Sequence, residues 1–199
     1  MKKKIFIIFF ILILLILIFY CYKFFIPGNN KHIEDVNDLN EYISSINEYK
    51  LEADITVNSN KNSNKYKITQ SYVNGVSRQE ILCDDTNDGI IIENMDNCLK
   101  IKNTQLPVEK IFADYSDVVK NSVGLDSFIE DYLCDENKEI RDKDGYYIVS
   151  VKSKNSQNKY GLSKTLYFNI EKGSIEKIEV KDINNNASII IEYIKLEIL

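Results

Sequence analysis

The residues able to do acid–base, nucleophilic or metal chemistry in this sequence are few and scattered. His32 is the only histidine, and it stands ahead of the folded part of the chain. A Ser–His or Cys–His pair therefore has no base to draw on in the main domain. The four cysteines are Cys21, Cys83, Cys98 and Cys134, with no two at metal-ligand or redox spacing. Three of them follow residue 26, and an odd number cannot pair fully within one chain. Cys83 and Cys98 are able to bridge neighbouring strands; the other reading is small buried hydrophobes in a reducing setting. The run Asp84-Asp85-Thr86-Asn87-Asp88-Gly89 invites comparison with a calcium loop. However, Thr86 occupies a ligand position and Met95 stands where the bidentate glutamate belongs, so a turn is expected. Glu130 and Asp131, beside Tyr132, could support carboxylate chemistry, but on an amphipathic helix such residues form the solvated face. There is no glycine-rich phosphate loop. The expectation is a chain with no catalytic residue, no cofactor and no metal site of its own.

Placement is easier to read than chemistry. Lys2, Lys3 and Lys4 precede an unbroken apolar run from Ile5 to Tyr22. Roughly 18 residues at about 1.5 Å each approach the thickness of a hydrocarbon core. The lysines hold the N-terminus inside, which places everything after Pro27 on the outer face. Two tethers fit: an uncleaved anchor through residues 5–26, or a lipoprotein signal in which Cys21 carries the lipid. The anchor is favoured because Tyr20 stands where a lipoprotein signal prefers a small residue. Four of the 25 basic residues precede residue 27, leaving 21 against all 30 acidic ones, a net of about −9. Such a surface repels phosphate backbones, and nucleic acid is not an expected partner.

The elements that would position any site follow from periodicity. Residues 1–26 form the anchor or signal, 27–34 a spacer and 35–199 one domain. Asp35 or Asn37 can cap a helix in which Val36, Leu39, Ile43 and Ile46 recur at helical spacing. From Tyr49 to Tyr72 two alternating arms flank an Asn/Ser/Lys turn, predicting a long hairpin with one buried face. Asn74-Gly75 predicts a tight turn into a strand from Val76 to Cys83, and Gly89–Asn103 a further hairpin. The period then changes. Val108, Ile111, Phe112, Tyr115, Val118 and Val119 predict one inserted helix, and Leu125, Phe128, Ile129, Tyr132 and Leu133 a second. Beyond Glu139 the signal returns to strand and turn. Tyr147, Val149 and Val151 alternate, as do Leu166, Phe168 and Ile170. Ile178 and Val180 follow, and then an apolar last strand from Ala187 that is expected to be covered on both faces or central. About four strands, two helices and about four more strands make an α+β fold. An antiparallel sheet curled around the helices is the simplest packing.

The hairpin Tyr49–Tyr72 with its Ser59-Asn60-Lys61-Asn62-Ser63-Asn64-Lys65-Tyr66 turn resembles the opening of clostridial germination lipoproteins of the GerS type. Lys102-Asn103-Thr104-Gln105-Leu106, Ile111-Phe112-Ala113-Asp114-Tyr115 and Leu125-Asp126-Ser127-Phe128-Ile129 extend the likeness in the same order over most of residues 35–199. The resemblance implies a LolA-like fold, an incomplete antiparallel half-barrel closed by helices. It also implies a non-catalytic accessory protein of spore formation at the outer forespore membrane, facing the intermembrane space. The implied partner is a zinc-dependent N-acetylmuramoyl-L-alanine amidase of the spore cortex, with the zinc belonging to that partner.

Two binding roles compete. An activator presents a surface to the amidase, while a LolA-like carrier holds lipid or a lipoprotein acyl chain inside the half-barrel. A carrier needs a wide apolar cavity, whereas Phe112, Tyr115, Phe128 and Tyr132 are bulky enough to fill it. The activator is therefore the expectation. An open sheet edge, suggested by the long last strand, would also allow a homodimer by strand exchange.

Overall fold

A computed structural model describes residues 33–59, 61–82, 89–95, 98–113, 124–154 and 161–199. Helix α1 spans Val36–Ser45 and is capped by Asp35, whose carboxylate accepts from the backbone amides of Asn37 (2.7 Å) and Asp38 (3.0 Å). Its buried stripe is Leu39, Tyr42 and Ile43; Val36 faces solvent instead. Strands β1 (Tyr49–Asn58) and β2 (Ser63–Val73) form the expected hairpin, with Tyr49 opposite Tyr72. Asn74 and Gly75, both at positive φ, turn the chain into β3 (Val76–Leu82). β4 (Gly89–Met95), β5 (Cys98–Asn103) and β6 (Glu109–Phe112) complete the first half. Helix α2 (Leu125–Cys134) precedes β7 (Glu139–Lys143), β8 (Tyr146–Lys152), β9 (Ser163–Asn169), β10 (Ser174–Lys181) and β11 (Ala187–Ile198).

All eleven strands belong to one antiparallel sheet, ordered β6-β5-β4-β3-β2-β1-β11-β10-β9-β8-β7. The first six run outward from the centre to one edge, and the last five return from the opposite edge to the centre. The stretch between β6 and β7 must therefore pass from one edge of the sheet to the other. Helix α2 lies on that passage, which explains why it covers a face of the sheet.

Two expectations need correcting. The segment predicted as a helix from Val108 contains a strand at Glu109–Phe112, paired with β5 so that Leu99 faces Phe112 and Lys100 faces Ile111. Ile111 and Phe112 are adjacent and show no strand alternation, so local spacing alone points to a helix, and the edge of β5 offers the backbone partners that decide the matter. Tyr115, Val118 and Val119 lie outside the described residues, so α2 is the inserted helix among those described. Among the described residues there are six strands and then five, against an expected four or so in each group; β7, with only Ile140 apolar among Glu139, Arg141, Asp142 and Lys143, carries no alternation to detect.

The last strand is central, with β1 on one side and β10 on the other. Its apolar run reflects that position. Both its edges are occupied within the chain, and among the described residues the outermost strands are β6 and β7. Among the described residues no helix is long and apolar enough to cross a membrane. The apolar run Ile5–Tyr22 and Cys21 lie outside them.

Candidate functional site

The face of the sheet beneath the helices is where a carrier would hold its cargo. Helix α2 lowers Leu125, Phe128, Ile129 and Tyr132 onto it, all buried and at the i, i+3, i+4, i+7 spacing of one helical stripe. They meet Tyr147, Val149 and Val151 of β8, Leu166 and Phe168 of β9, and Ile178 and Ile191 of the central strands within a single buried cluster. Phe128 and Tyr132 stack at 6.2 Å between ring centres, and Tyr42 of α1 sets its edge on Phe168 at 5.6 Å. The Tyr132 hydroxyl donates to the Asn40 side chain, tying the two helices together. Side chains fill this region.

Polar contacts pin α2 at both ends. At its start Asp126 reaches into the sheet, where its Oδ1 accepts from the Tyr49 hydroxyl (2.8 Å) and from Gln70 Nε2 (3.3 Å). Its backbone N–H donates back to Tyr49 Oη at 3.1 Å. A Cβ at Gly124 would overlap Asp126 Oδ1, so a larger residue there would have to displace that carboxylate from Tyr49 and Gln70. Burial, and then the Asp126 charge, push the Tyr49 phenol well above its usual range, so it stays a neutral donor. Burial likewise raises Tyr193, which Asp126 also influences.

Farther along the helix, Asp131 turns inward. Its Oδ2 lies 2.7 Å from Lys164 Nζ, and both side chains are almost wholly buried. Its Oδ1 accepts from the backbone N–H of Lys154 at 2.8 Å. At the end of the helix, Asp135 accepts from the amides of Lys152 (2.7 Å) and Asn137 (2.9 Å), and the first of these holds its carboxyl below the ordinary value.

This arrangement has a clear chemical reading. Lys164 Nζ donates to Ser127 O (3.1 Å) and Ser127 Oγ (2.6 Å) and sits beside the Asp131 carboxylate as an ion pair, with no aligned hydrogen bond to Asp131 Oδ2. These contacts tie the first turn and the middle of α2 to β9. The expectation of a solvated Asp131 is therefore corrected, because it is the inward half of an ion pair. Glu130 remains half-exposed and pairs with Lys154 at 3.0 Å.

Sequence reasoning missed Lys164, Gln70 and Asp126. The signal for two of them was present. Lys164 sits two residues before Leu166 on the same face of β9, and Gln70 two after Ile68 on β2, so a polar residue at an inward position marked each. Cys98 and Cys134 are free thiols, half-buried and exposed respectively. No group of three His, Cys, Asp or Glu side chains able to hold a metal occurs among the described residues. His32, Cys83 and the turn at residues 84–88 lie outside them.

The helix-facing side of β4–β6 is only partly covered: Ile92, Leu99, Ile101 and Phe112 are half-buried and Ile90 is exposed. At that edge Leu106, Val108 and Ile111 also face solvent. The opposite face of β1–β3 carries a groove of about 340 Å³ lined by charged side chains.

Comparison with solved structures bears directly on this architecture. The chain superposes on the GerS lipoprotein in the structure of the CwlD amidase from Clostridioides difficile in complex with GerS. The TM-score is 0.52, with 22% identity over 84% of this chain and 98% of the matched chain. The chain has the GerS fold. A LolA superfamily protein from Nitrosomonas europaea, NE2245, matches at TM-score 0.43 and 11% identity, over 84% of this chain and 94% of that one. MucB matches at TM-score 0.46 and 10% identity, over 83% of this chain and 59% of that one. No family model and no curated protein matches the sequence.

Proposed function

We propose that this chain is a non-catalytic, membrane-tethered accessory protein that binds and activates a peptidoglycan N-acetylmuramoyl-L-alanine amidase of the spore cortex. The observation that carries the reading is the GerS fold in a chain whose helix-facing core is filled by its own side chains, leaving its exterior to act. In this reading the apolar run within residues 5–26 tethers the domain to the outer forespore membrane, with Cys21 the lipid-bearing residue if the segment is processed. The domain then faces the intermembrane space, and any zinc in the reaction belongs to the amidase. Modification of the cortex by that pair would prepare it for germination.

Co-expression of the full chain with a cortex amidase, followed by affinity purification from detergent, tests the reading. A stoichiometric complex is expected, and recovery of the chain without the amidase would reject it.

The carrier reading draws on one feature, the partly bare apolar side of β4–β6. Displacement of a fluorescent fatty acid separates the two roles. The accessory reading expects no saturable binding, and saturable binding would favour the carrier.

A further inference from the structure

The outer face of the sheet holds a trough whose charges are arranged unlike those around it. Its floor is β2, where Thr69 and Ser71 turn short hydroxyl side chains outward, and its walls rise from β1 and β3. Register decides what faces what. Ser71 lies between Lys50 and Arg78, while Thr69 lies between Glu52 and Glu80. With strands about 4.8 Å apart, each like-charged pair faces itself across about 10 Å of short side chains. The cationic rung and the anionic rung are two residues apart, or about 6.8 Å.

A solvated sheet face ordinarily sets opposite charges side by side. This sheet does so on either side of the trough: Glu197 stands opposite Lys50, Lys195 opposite Glu52, and Glu93 bonds Arg78 Nη1 at 2.6 Å. Across β2 the pattern is reversed, like facing like. Among the described residues, no opposite charge lies within 4.0 Å of Lys50, Glu52 or Glu80. The Glu93 contact occupies one nitrogen of the Arg78 guanidinium and leaves the rest of its donors to other acceptors. Each rung therefore lacks a directly facing counter-charge at its middle; the nearest cation to the anionic rung along β2 is Lys67, which stands opposite Asp54.

We propose that this trough binds a zwitterionic α-amino acid group, with its carboxylate between Lys50 and Arg78 and its ammonium between Glu52 and Glu80. The hydroxyls of Ser71 and Thr69 form the floor beneath it. A groove of about 340 Å³ accommodates a group of that size. The pairs are exposed and individually weak, so the site recognises a group presented at high local concentration rather than a scarce free metabolite.

The test is an NMR titration of the full chain in detergent micelles with diaminopimelate, a peptidoglycan amino acid carrying such a group at each end. The amides of Thr69 and Ser71 report on the site. Saturable shifts with a Kd on the order of 1 mM are expected. The double variant Arg78→Gln/Glu80→Gln should weaken binding by about tenfold, while the N-acetylated and carboxamide forms of the ligand should give no saturable shift. Absence of saturable shifts, equal response to the capped forms, or undiminished binding by the double variant would overturn the proposal. No amidase is present in this experiment, so its outcome is independent of whether the partner complex forms.

Discussion

The two halves of the sheet differ sharply on the side that faces the helices. On β8, β9, β10 and most of β1 the inward side chains are buried, with Val149, Leu166 and Phe168 wholly so, while β11 buries Ile191 and half-buries the rest of its inward positions. From β4 to β6 no apolar side chain is fully buried, and Ile90 is 40% exposed. Both halves carry apolar inward positions, so composition does not separate them. Coverage does, since α1 and α2 lie over the central and C-terminal strands, with α2 fixed to β1 and β2 by Asp126 and to β9 by the Asp131–Lys164 pair. The lesson is that stability and interaction are divided across one sheet. The covered half holds the fold together, and the bare half, with the outer face, is free to meet other molecules.

The largest expected effect breaks the covered half at its charge pair. Lys164→Met leaves Asp131 buried without its partner and should cost about 3–5 kcal/mol in denaturant unfolding, whereas adding Asp131→Leu should return much of that loss. A single variant as stable as the parent would show that the pair is not buried as described.

A pair of truncations sharpens the contrast. Leu166→Ala should cost about 2–5 kcal/mol because its site cannot collapse. Ile101→Ala, on the half-buried side of β5, should cost about 1 kcal/mol. Equal losses would mean that both halves are packed alike.

The smallest effect is a pH dependence, and its groups also lie in the covered half. Burial alone would raise Glu176 and Glu179, yet the bonds from Lys172 and Tyr146 to the first, and from Lys177 and Tyr167 to the second, outweigh it and hold both below their ordinary values. Asp135 is lowered too, by the Lys152 amide. Carboxyls depressed by folding stabilise fully above their unfolded values of 4.5 for Glu and 3.8 for Asp. That stability is lost as the pH falls through the lower folded values. The denaturation midpoint should therefore drop on acidification below about pH 4.5, and Glu176→Gln/Glu179→Gln should flatten the drop. An unchanged slope in that variant would assign the acid sensitivity to other groups.

Much of this division was legible in the residues. The alternation in Tyr49–Tyr72, the Asn74-Gly75 turn and the stripe Leu125–Tyr132 placed the hairpin and α2 correctly, because local pattern and burial agree there. Glu109–Phe112 misled because its helical spacing competes with an open strand edge several residues away in sequence, and pairing to β5 is a tertiary effect. β7 was invisible because an edge strand guarded by charge has no buried face to imprint a period. Asp131 was assigned to solvent because one sequence shows a helix face but not the lysine two strands away that claims it. The trough on β1–β3 needed register, since only pairing shows that like charges face each other across Ser71 and Thr69.

The proposed function requires a domain that acts through its exterior on a partner that does the chemistry. The most direct measurement is the rate of muropeptide release by a purified cortex amidase with and without the full chain, beside the chain alone. The account predicts a marked rise when the two are combined and no products from the chain by itself. Unchanged release on mixing, or products from the chain alone, would contradict it.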